Sequence, residues 1–168
     1  MLKPMTRYAM VLSLFSVVAA CGFQLRGAVE LPAVLQDTYI VSQNPFTGMA
    51  RALRSQLKQS GGNIVDNKDQ ATAILTINSE RAENRVLSVG SRGKATEYEL
   101  YDEVNFSLTD NQGKTLIEAY TLRLTRDLVF DQNELLGKLS EADGIHRQMR
   151  ASLARQIMLR IDAGLKRP

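Results

Sequence analysis

The sequence predicts a two-layer α/β (α+β) sandwich, in which a mostly antiparallel sheet carries two helices on one face. Three observations support this fold class. Strand-like and helix-like patterns follow one another in the order strand, helix, strands, helix. Each helical pattern has a single apolar stripe, and three long segments alternate between apolar and polar residues. Hydrophobic residues make up 44% and charged residues 23% of the 168 residues, which is typical of a globular protein.

The N-terminal segment has the pattern of an export signal. Residues 1–20 contain two basic residues and then an apolar run that is shorter than the ~20 residues of a membrane-spanning helix. Small residues precede the chain's single cysteine, and the stretch Val18-Ala19-Ala20-Cys21 resembles the lipobox of bacterial lipoproteins. An ordinary signal peptide followed by a chance cysteine is the alternative.

The lipobox divides the chain into a signal peptide, residues 1–20, and a single domain, residues 21–168. Acyl chains on Cys21 would anchor this domain, because two or more chains bind a membrane stably. In the lipoprotein resemblance, Gly22 instead of an aspartate points to the outer membrane. The chain has 21 basic and 18 acidic residues; without the two basic residues of the signal, 19 remain and the net charge is +1. This balance argues against a nucleic-acid partner.

The first elements are a strand and a helix. The β-branched and aromatic residues 38–41 predict a strand, and Asn44-Pro45 predicts a helix start with an N-cap followed by proline. Gly61-Gly62 ends this helix. Its apolar stripe consists of Phe46, Met49, Ala50, Leu53 and Leu57.

A short strand at 63–66 and three alternating runs follow. The runs begin at Ala71, at Glu97 and at Leu116, and we expect them to form an antiparallel meander. Residues 110–113 have the composition of a hairpin turn, and residues 85–96 form the connection between the first two runs.

The C-terminal segment predicts a second helix. Its apolar residues recur every four positions, with the basic residues away from this stripe. Gly137 and Gly144 each weaken a helix by up to ~1 kcal/mol relative to alanine, so we expect a break near Gly144. The stripe consists of Ile145, Met149, Leu153, Ile157, Ile161 and Leu165.

The sequence offers no catalytic constellation, metal site or cofactor site. Cys21 is the only cysteine, and His146, the only histidine, is interpreted as a surface or packing residue. Asp102 and Glu103 are adjacent on a strand and therefore point to opposite faces, so they cannot act as a paired acid and base. We therefore expect that the protein is not an enzyme.

The connection 85–96 is basic and glycine-containing. Gly90 and Gly93 permit a positive φ and a sharp tip that presents Arg92 and Lys94 outward. A solvated hairpin tip is one interpretation. Recognition of phosphate or carboxylate groups is the other, because the planar guanidinium group suits these oxyanions.

Three segments together resemble the LPS-assembly lipoprotein LptE family. They are the stretch CGFQLRG that begins at Cys21, the stretch RGKATEYEL that begins at Arg92, and Phe130-Asp131 leading to Lys138. The resemblance implies a lipopolysaccharide-transport lipoprotein of the Gram-negative outer membrane, lipid-anchored and facing the periplasm and a barrel lumen. It implies two partners, an LptD-type outer-membrane β-barrel (1:1) and lipopolysaccharide. It also implies that Arg92 and Lys138 contact lipopolysaccharide, with Lys94 beside them.

The expected function is to plug and help assemble the LptD barrel and to bind lipopolysaccharide on its way to the outer leaflet. The alternative is an auxiliary lipoprotein of a lipid transport system without a barrel partner. Treated as a sphere, the domain after residue 20 would be ~38 Å across. Such a sphere is too wide for a 22-stranded barrel, so it fits only a barrel of about 26 strands or inserts partially.

Overall fold

The computed structural model describes residues 31–43, 48–91, 93–129 and 135–166. In chain order its main elements are β1 (Asp37–Val41), α1 (Gly48–Gln59), β2 (Asn63–Ile64), β3 (Ala73–Val89), β4 (Ala95–Asp110), β5 (Thr115–Val129) and α2 (Leu135–Leu165). The strands form one sheet in the order β2-β1-β3-β4-β5. Strand β1 is parallel to both of its neighbours, whereas β3, β4 and β5 are antiparallel. The predicted α+β fold class is confirmed.

Helix α1 packs its apolar stripe into the core and is held at its N-terminal end by an acidic side chain of β3. Glu80 Oε2 accepts a hydrogen bond from the backbone nitrogen of Met49 at 2.9 Å, and an acid at this end is favoured by the helix dipole. The chain leaves α1 through Gly61, whose φ of +86° suits glycine. The predicted helix start at Asn44-Pro45, with Phe46, lies outside the described residues. Met49, Ala50, Leu53 and Leu57 are buried.

The antiparallel meander is confirmed, and its strands are longer than predicted. Strand β3 pairs with β4 from Ala73 opposite Asp110 to Val89 opposite Ala95. A bulge at Asn78 inserts one extra residue into β3. Between this bulge and Val86, the face of β3 that points to the helices is therefore carried by even-numbered residues; the register shifts again between Val86 and Ser88.

The predicted connection at 85–96 is wrong in its bounds. Strand β3 continues to Val89 and β4 begins at Ala95, so only five residues separate them. Of the basic residues in this stretch, Arg85 lies on the solvent face of β3, whereas Lys94 lies in the turn. On β3, Arg85 Nε is 3.1 Å from Glu83 Oε2 of the same strand and its Nη1 is 3.5 Å from Glu99 Oε1 of β4, so charge pairing along and across strands is compatible with an extended backbone.

Helix α2 is continuous, and the predicted break near Gly144 is wrong. The helix runs through both Gly137 and Gly144 and starts ten residues before the predicted Ile145 stripe. The cost of these glycines is offset by packing, because Ala142 and Met149 lie in a buried cluster with Leu100 and Leu128.

Both helices pack on one face of the sheet, as predicted. Buried residues of α1, α2, β3 and β4 form the main core, with Phe106 and Ile157 fully buried in it. The opposite face is polar: Asn78 Nδ2 donates to Asn105 Oδ1 at 2.7 Å, and Asn105 Nδ2 donates to Thr121 Oγ1 at 2.8 Å. In the described parts of the chain, neither helix is long and apolar enough to cross a membrane.

Candidate functional site

The candidate site is the end of the sheet that carries the β3–β4 turn. The turn is closed by two backbone hydrogen bonds, from Gly90 N to Lys94 O at 2.8 Å and from Gly93 N to Gly90 O at 2.9 Å. Lys94 is exposed, as predicted. Arg92 lies outside the described residues, and so does Cys21.

The two glycines of the turn serve different purposes. Gly93 has a φ of +70°, which is the positive φ predicted for it. Gly90 does not have a positive φ, and that part of the prediction is wrong. Instead, a Cβ atom at Gly90 would lie 3.0 Å from Thr96 Cγ2, so the position favours glycine because of close approach. Next to it, the hydroxyl groups of Ser88 and Thr96 are 2.8 Å apart.

Exposed apolar side chains gather at this end of the molecule. Val89 is 63% exposed, and Val129, close to it at the end of β5, is 68% exposed. Only five residues separate Val129 from the start of helix α2, which adds Leu136, 82% exposed. Exposed apolar side chains grouped at one end of a domain favour a binding surface. We call this surface the apolar end; it comprises Val86, Leu87, Val89, Val129, Leu136 and Leu139.

A network of charges covers the outer face of the sheet next to the apolar end. Glu83 accepts hydrogen bonds from Arg81 and Arg85, and the Arg81 hydrogen bond is the main cause that lowers the pKa of Glu83. The Arg85 guanidinium also lies 3.7 Å from the ring centroid of Tyr101. The hydroxyl of Tyr101 donates to Glu103, and this hydrogen bond raises the pKa of Tyr101. The network fixes the arginines of β3 in place.

Lys138 already forms an ion pair within helix α2. It lies near the start of α2, its side chain is 21% exposed, and its Nζ is 2.8 Å from Glu141 Oε2. Lys94 is exposed on the β3–β4 turn, so the two predicted lysines lie on different elements of the same end. A ligand of Lys138 would have to compete with Glu141.

His146 is a buried packing residue. Its Nδ1 lies 2.8 Å from Asp102 Oδ1 and its Nε2 lies 2.8 Å from Asn84 Oδ1, so it joins α2 to β4 and β3. Asp102 is buried and Glu103 is half-buried on the other face, as the alternation predicted. Among the described residues, no group of three or more His, Cys, Asp or Glu side chains could hold a metal ion.

Sequence reasoning missed the apolar end. It treated 85–96 as a basic loop and gave no weight to Val86, Leu87 and Val89 inside it. The signal was present, because β-branched and leucine residues in this stretch continue the strand pattern of β3. Their convergence with Val129 depends on strand pairing, which the sequence pattern alone does not specify.

The comparisons with known proteins decide the family. Residues 35–161 match the family described as LptE, Lipopolysaccharide-assembly, and this span covers most of the chain and all seven main elements except the last residues of α2. The chain belongs to the LptE family.

Named relatives agree with this assignment. The chain is 32% identical over 144 residues to the LPS-assembly lipoprotein LptE of Photorhabdus laumondii, covering 84% of this chain and 77% of that protein. It is 33% identical over 150 residues to the LPS-assembly lipoprotein LptE of Yersinia pestis, covering 84% of this chain and 68% of that protein. The resemblance stated from the sequence is confirmed.

Solved structures share the fold. A lipoprotein B from Nitrosomonas europaea superposes with a TM-score of 0.66 and 28% identity, covering 82% of this chain and 88% of that one. The rare lipoprotein B from Shewanella oneidensis has a TM-score of 0.64 at 24% identity, covering 76% and 94%, which is a likeness of fold alone. As an LptE-family chain, the protein is a lipopolysaccharide-assembly lipoprotein, a family not known for enzymatic activity.

Proposed function

We propose that the protein is an outer-membrane lipoprotein, anchored through Cys21, that plugs a large LptD-type β-barrel in a 1:1 complex and helps it assemble. We further propose that it binds lipopolysaccharide during delivery to the outer leaflet. Membership of the LptE family supports the general role. The observation that carries the barrel proposal is the apolar end, where six large apolar side chains project from two strands, β3 and β5, and from the start of α2.

The apolar end suits insertion into another protein. Leu87 is 52% exposed and Val129 is 68% exposed. Each Å² of their apolar surface that a partner covers would stabilise the complex by ~25 cal/mol. The opposite end of the meander carries the polar β4–β5 turn, where Asp110 Oδ1 accepts from the backbone nitrogens of Gln112 and Lys114. This contrast favours insertion with the β3–β4 turn leading.

Lipopolysaccharide binding is proposed for the basic residues at the same end. Arg92 and Lys94 would contact the phosphate groups of the ligand, because cationic donors form strong hydrogen bonds with phosphate oxygens. Lys138 would contact a phosphate group only if its ion pair with Glu141 were replaced by one with a phosphate oxygen. No chemical step is needed, since the proposed role is binding and positioning.

Site-specific photocrosslinking in cells tests the barrel proposal. A photoreactive residue at Leu87 or at Val129 should crosslink to a large barrel protein that co-purifies in a 1:1 ratio. The same group at Gln112, on the opposite turn, or at Leu159, an equally exposed leucine of α2 at 51%, is the control and should crosslink much less. Crosslinks that are equal at all four positions, or no barrel partner at all, would favour the auxiliary-subunit alternative.

Charge reversal at the tip tests the lipopolysaccharide proposal. Arg92→Glu and Lys94→Glu should each weaken binding of purified lipopolysaccharide by about tenfold, with an unchanged far-UV circular dichroism spectrum. Lys114→Glu, which reverses one charge on the other turn, should change binding less than about twofold. Equal effects of all three variants would show general electrostatic attraction in place of a tip site.

A further inference from the structure

One edge of the sheet is formed by β5, which has no neighbouring strand except β4 within the described part of the chain. From Tyr120 opposite Phe106 to Val129 opposite Glu97, the pairing with β4 runs without a register shift. In an antiparallel pair, alternate residues direct their backbone N–H and C=O groups away from the partner strand. This stretch of β5 therefore presents a row of donors and acceptors to which another extended chain can add.

A charged residue interrupts the side of β5 that faces the helices. Leu124 is half-buried and Leu128 is buried, and Arg126 occupies the position between them on the same side of the strand. It lies opposite Leu100, which is fully buried, yet Arg126 itself is exposed. An inward-pointing charge on an edge strand opposes pairing with an apolar or basic strand. The complement that remains is a strand with an acidic residue at the facing position.

A groove lies beside this stretch, between β5 and α2. Its volume is about 280 Å³, and we call it the edge groove. Neighbouring strands lie about 4.8 Å apart, so a strand added to β5 would place its helix-side side chains at this groove. The lining is apolar in its deeper part, where Met149 is buried, and it carries one arginine from each element. The lining residues include Leu124, Arg126, Ile145, Met149, Ser152 and Arg155.

The two arginines of the edge groove are available to an anionic group. Neither Arg126 nor Arg155 has an acidic partner within 4 Å in the described ranges of the chain. Arg155 Nη2 donates to Ser152 Oγ at 3.0 Å, which is a neutral acceptor on the same helix. No described aspartate or glutamate lines the groove. A carboxylate side chain on an added strand would therefore find two guanidinium donors, which bind carboxylates with paired hydrogen bonds.

The backbone row and the edge groove together identify a polypeptide as the ligand. A free anion can neutralise the arginines, but it cannot pair with the N–H and C=O groups along β5. We propose that the β5 edge binds an extended segment of another protein by strand addition, with an acidic side chain facing Arg126 and apolar side chains facing Leu124 and Leu128. In this mode, backbone hydrogen bonds supply affinity and alternate side chains supply specificity.

The β5 edge is a different surface from the apolar end and the basic turn. Arg126 lies three residues before Val129, roughly 10 Å away along the strand, and its side chain points to the helix layer. The proposal goes beyond the proposed function, since strand addition requires neither a barrel nor lipopolysaccharide. Leu87→Ser, which alters the apolar end, should leave binding at the β5 edge unchanged. Failure of either proposal would therefore leave the other intact.

NMR titration of the full chain in detergent with a synthetic peptide tests this proposal. The probe is Ser-Thr-Leu-Thr-Glu-Thr-Leu-Thr-Ser, whose leucines and glutamate share one face of a strand. One comparison peptide has lysine in place of glutamate, and another is methylated at every backbone nitrogen between the terminal serines. The test variant is Arg126→Glu. The matched control is Arg123→Glu, which makes the same change on the opposite face of β5, at an exposed residue opposite Glu103.

We expect the glutamate peptide to bind wild type about tenfold more tightly than the lysine peptide does. The methylated peptide should bind at least about tenfold more weakly than the glutamate peptide, because it cannot donate to β5. Arg126→Glu should remove the preference for glutamate over lysine, whereas Arg123→Glu should bind the glutamate peptide within about twofold of wild type. Binding should also slow hydrogen exchange at alternate amides between Tyr120 and Val129. Circular dichroism verifies that both variants are folded.

Four results would overturn the proposal. Equal binding of the methylated and unmethylated peptides would show charge attraction without strand pairing. Equal effects of Arg126→Glu and Arg123→Glu would show that the edge groove does not select the acidic residue. The absence of binding by the glutamate peptide would contradict strand addition directly. A stable dimer of the free chain that the peptide does not dissociate would show that a second copy occupies the edge.

Discussion

His146 connects the long helix to the sheet through two buried polar contacts. It is 8% exposed, Asp102 is 2% exposed, and both ring nitrogens have an oxygen atom at 2.8 Å. The second carboxylate oxygen of Asp102 has no hydrogen-bond partner, so this aspartate already depends on His146 alone. A buried acid that loses its partner is strongly destabilising.

We therefore predict that His146→Ala lowers the free energy of unfolding by about 3 kcal/mol, because it leaves Asp102 buried and unpaired. Asn84→Ala removes only the second hydrogen-bond partner of His146, so it should lower the free energy of unfolding by about 1 kcal/mol. Gln148→Ala, at an exposed position of the same helix, is the control and should change stability by less than about 0.5 kcal/mol. Urea denaturation measures all three, and a His146→Ala value equal to the control would contradict the structural role.

The charge network on the outer face predicts a dependence of stability on pH. The pKa of Glu83 is lowered from 4.5, mainly by the Arg81 hydrogen bond, while burial opposes the shift and Arg85 adds to it. A lowered folded-state pKa contributes stability that is present above the unfolded pKa and is lost as pH falls through the folded pKa. Wild type should therefore lose more stability than Glu83→Gln between pH 5 and pH 3. Glu118→Gln, at an exposed position of β5, should follow the wild type, and identical curves for wild type and Glu83→Gln would refute the prediction.

At the scale of elements, α2 shows how packing overrides helix propensity. The sequence located its C-terminal half correctly because Leu153, Ile157 and Ile161 repeat at helical spacing. Its N-terminal half could not be predicted, because two glycines argued against a helix and the burial of Ala142 against β4 and β5 depends on tertiary structure. The same reason explains the apolar end, since strand pairing, and not local pattern, brings Val89 and Val129 to one place.

The glycines of α2 should respond to alanine in opposite ways. A Cβ atom at Gly137 meets nothing within 4 Å, and one at Gly144 meets only the end of Arg147 at 3.7 Å, so Gly137→Ala and Gly144→Ala should each stabilise by about 0.5–1 kcal/mol. A Cβ atom at Gly164 would clash with Ile117 Cδ1, and Gly164→Ala should destabilise. Thermal unfolding measures each variant. A destabilised Gly144→Ala would show that the helix needs flexibility at this position.

At the scale of the whole molecule, the long meander changes the estimate of what can enter a barrel. A strand of 17 residues such as β3 extends ~55 Å, so the domain is far from the ~38 Å sphere that its length suggests. Three strands are only ~14 Å wide, and a helix layer adds ~10 Å. A barrel that admits only the apolar end can therefore be much narrower than one that encloses a ~38 Å sphere. Chain length could not reveal this, because it fixes volume and not shape.

The apolar end should contribute to the formation of a complex with the barrel and not to the stability of the domain. Leu87→Ser and Val129→Ser remove side chains that are already more than half exposed, so each should change the free energy of unfolding by less than about 0.5 kcal/mol. Each should nevertheless reduce the yield of a 1:1 barrel complex on co-purification, because the lost apolar area is buried only in that complex. Leu159→Ser is the matched control, since Leu159 is 51% exposed compared with 52% for Leu87, and it should leave the yield unchanged. If the first two variants unfold more easily and the complex still forms, the apolar end supports the domain itself and another surface contacts the barrel.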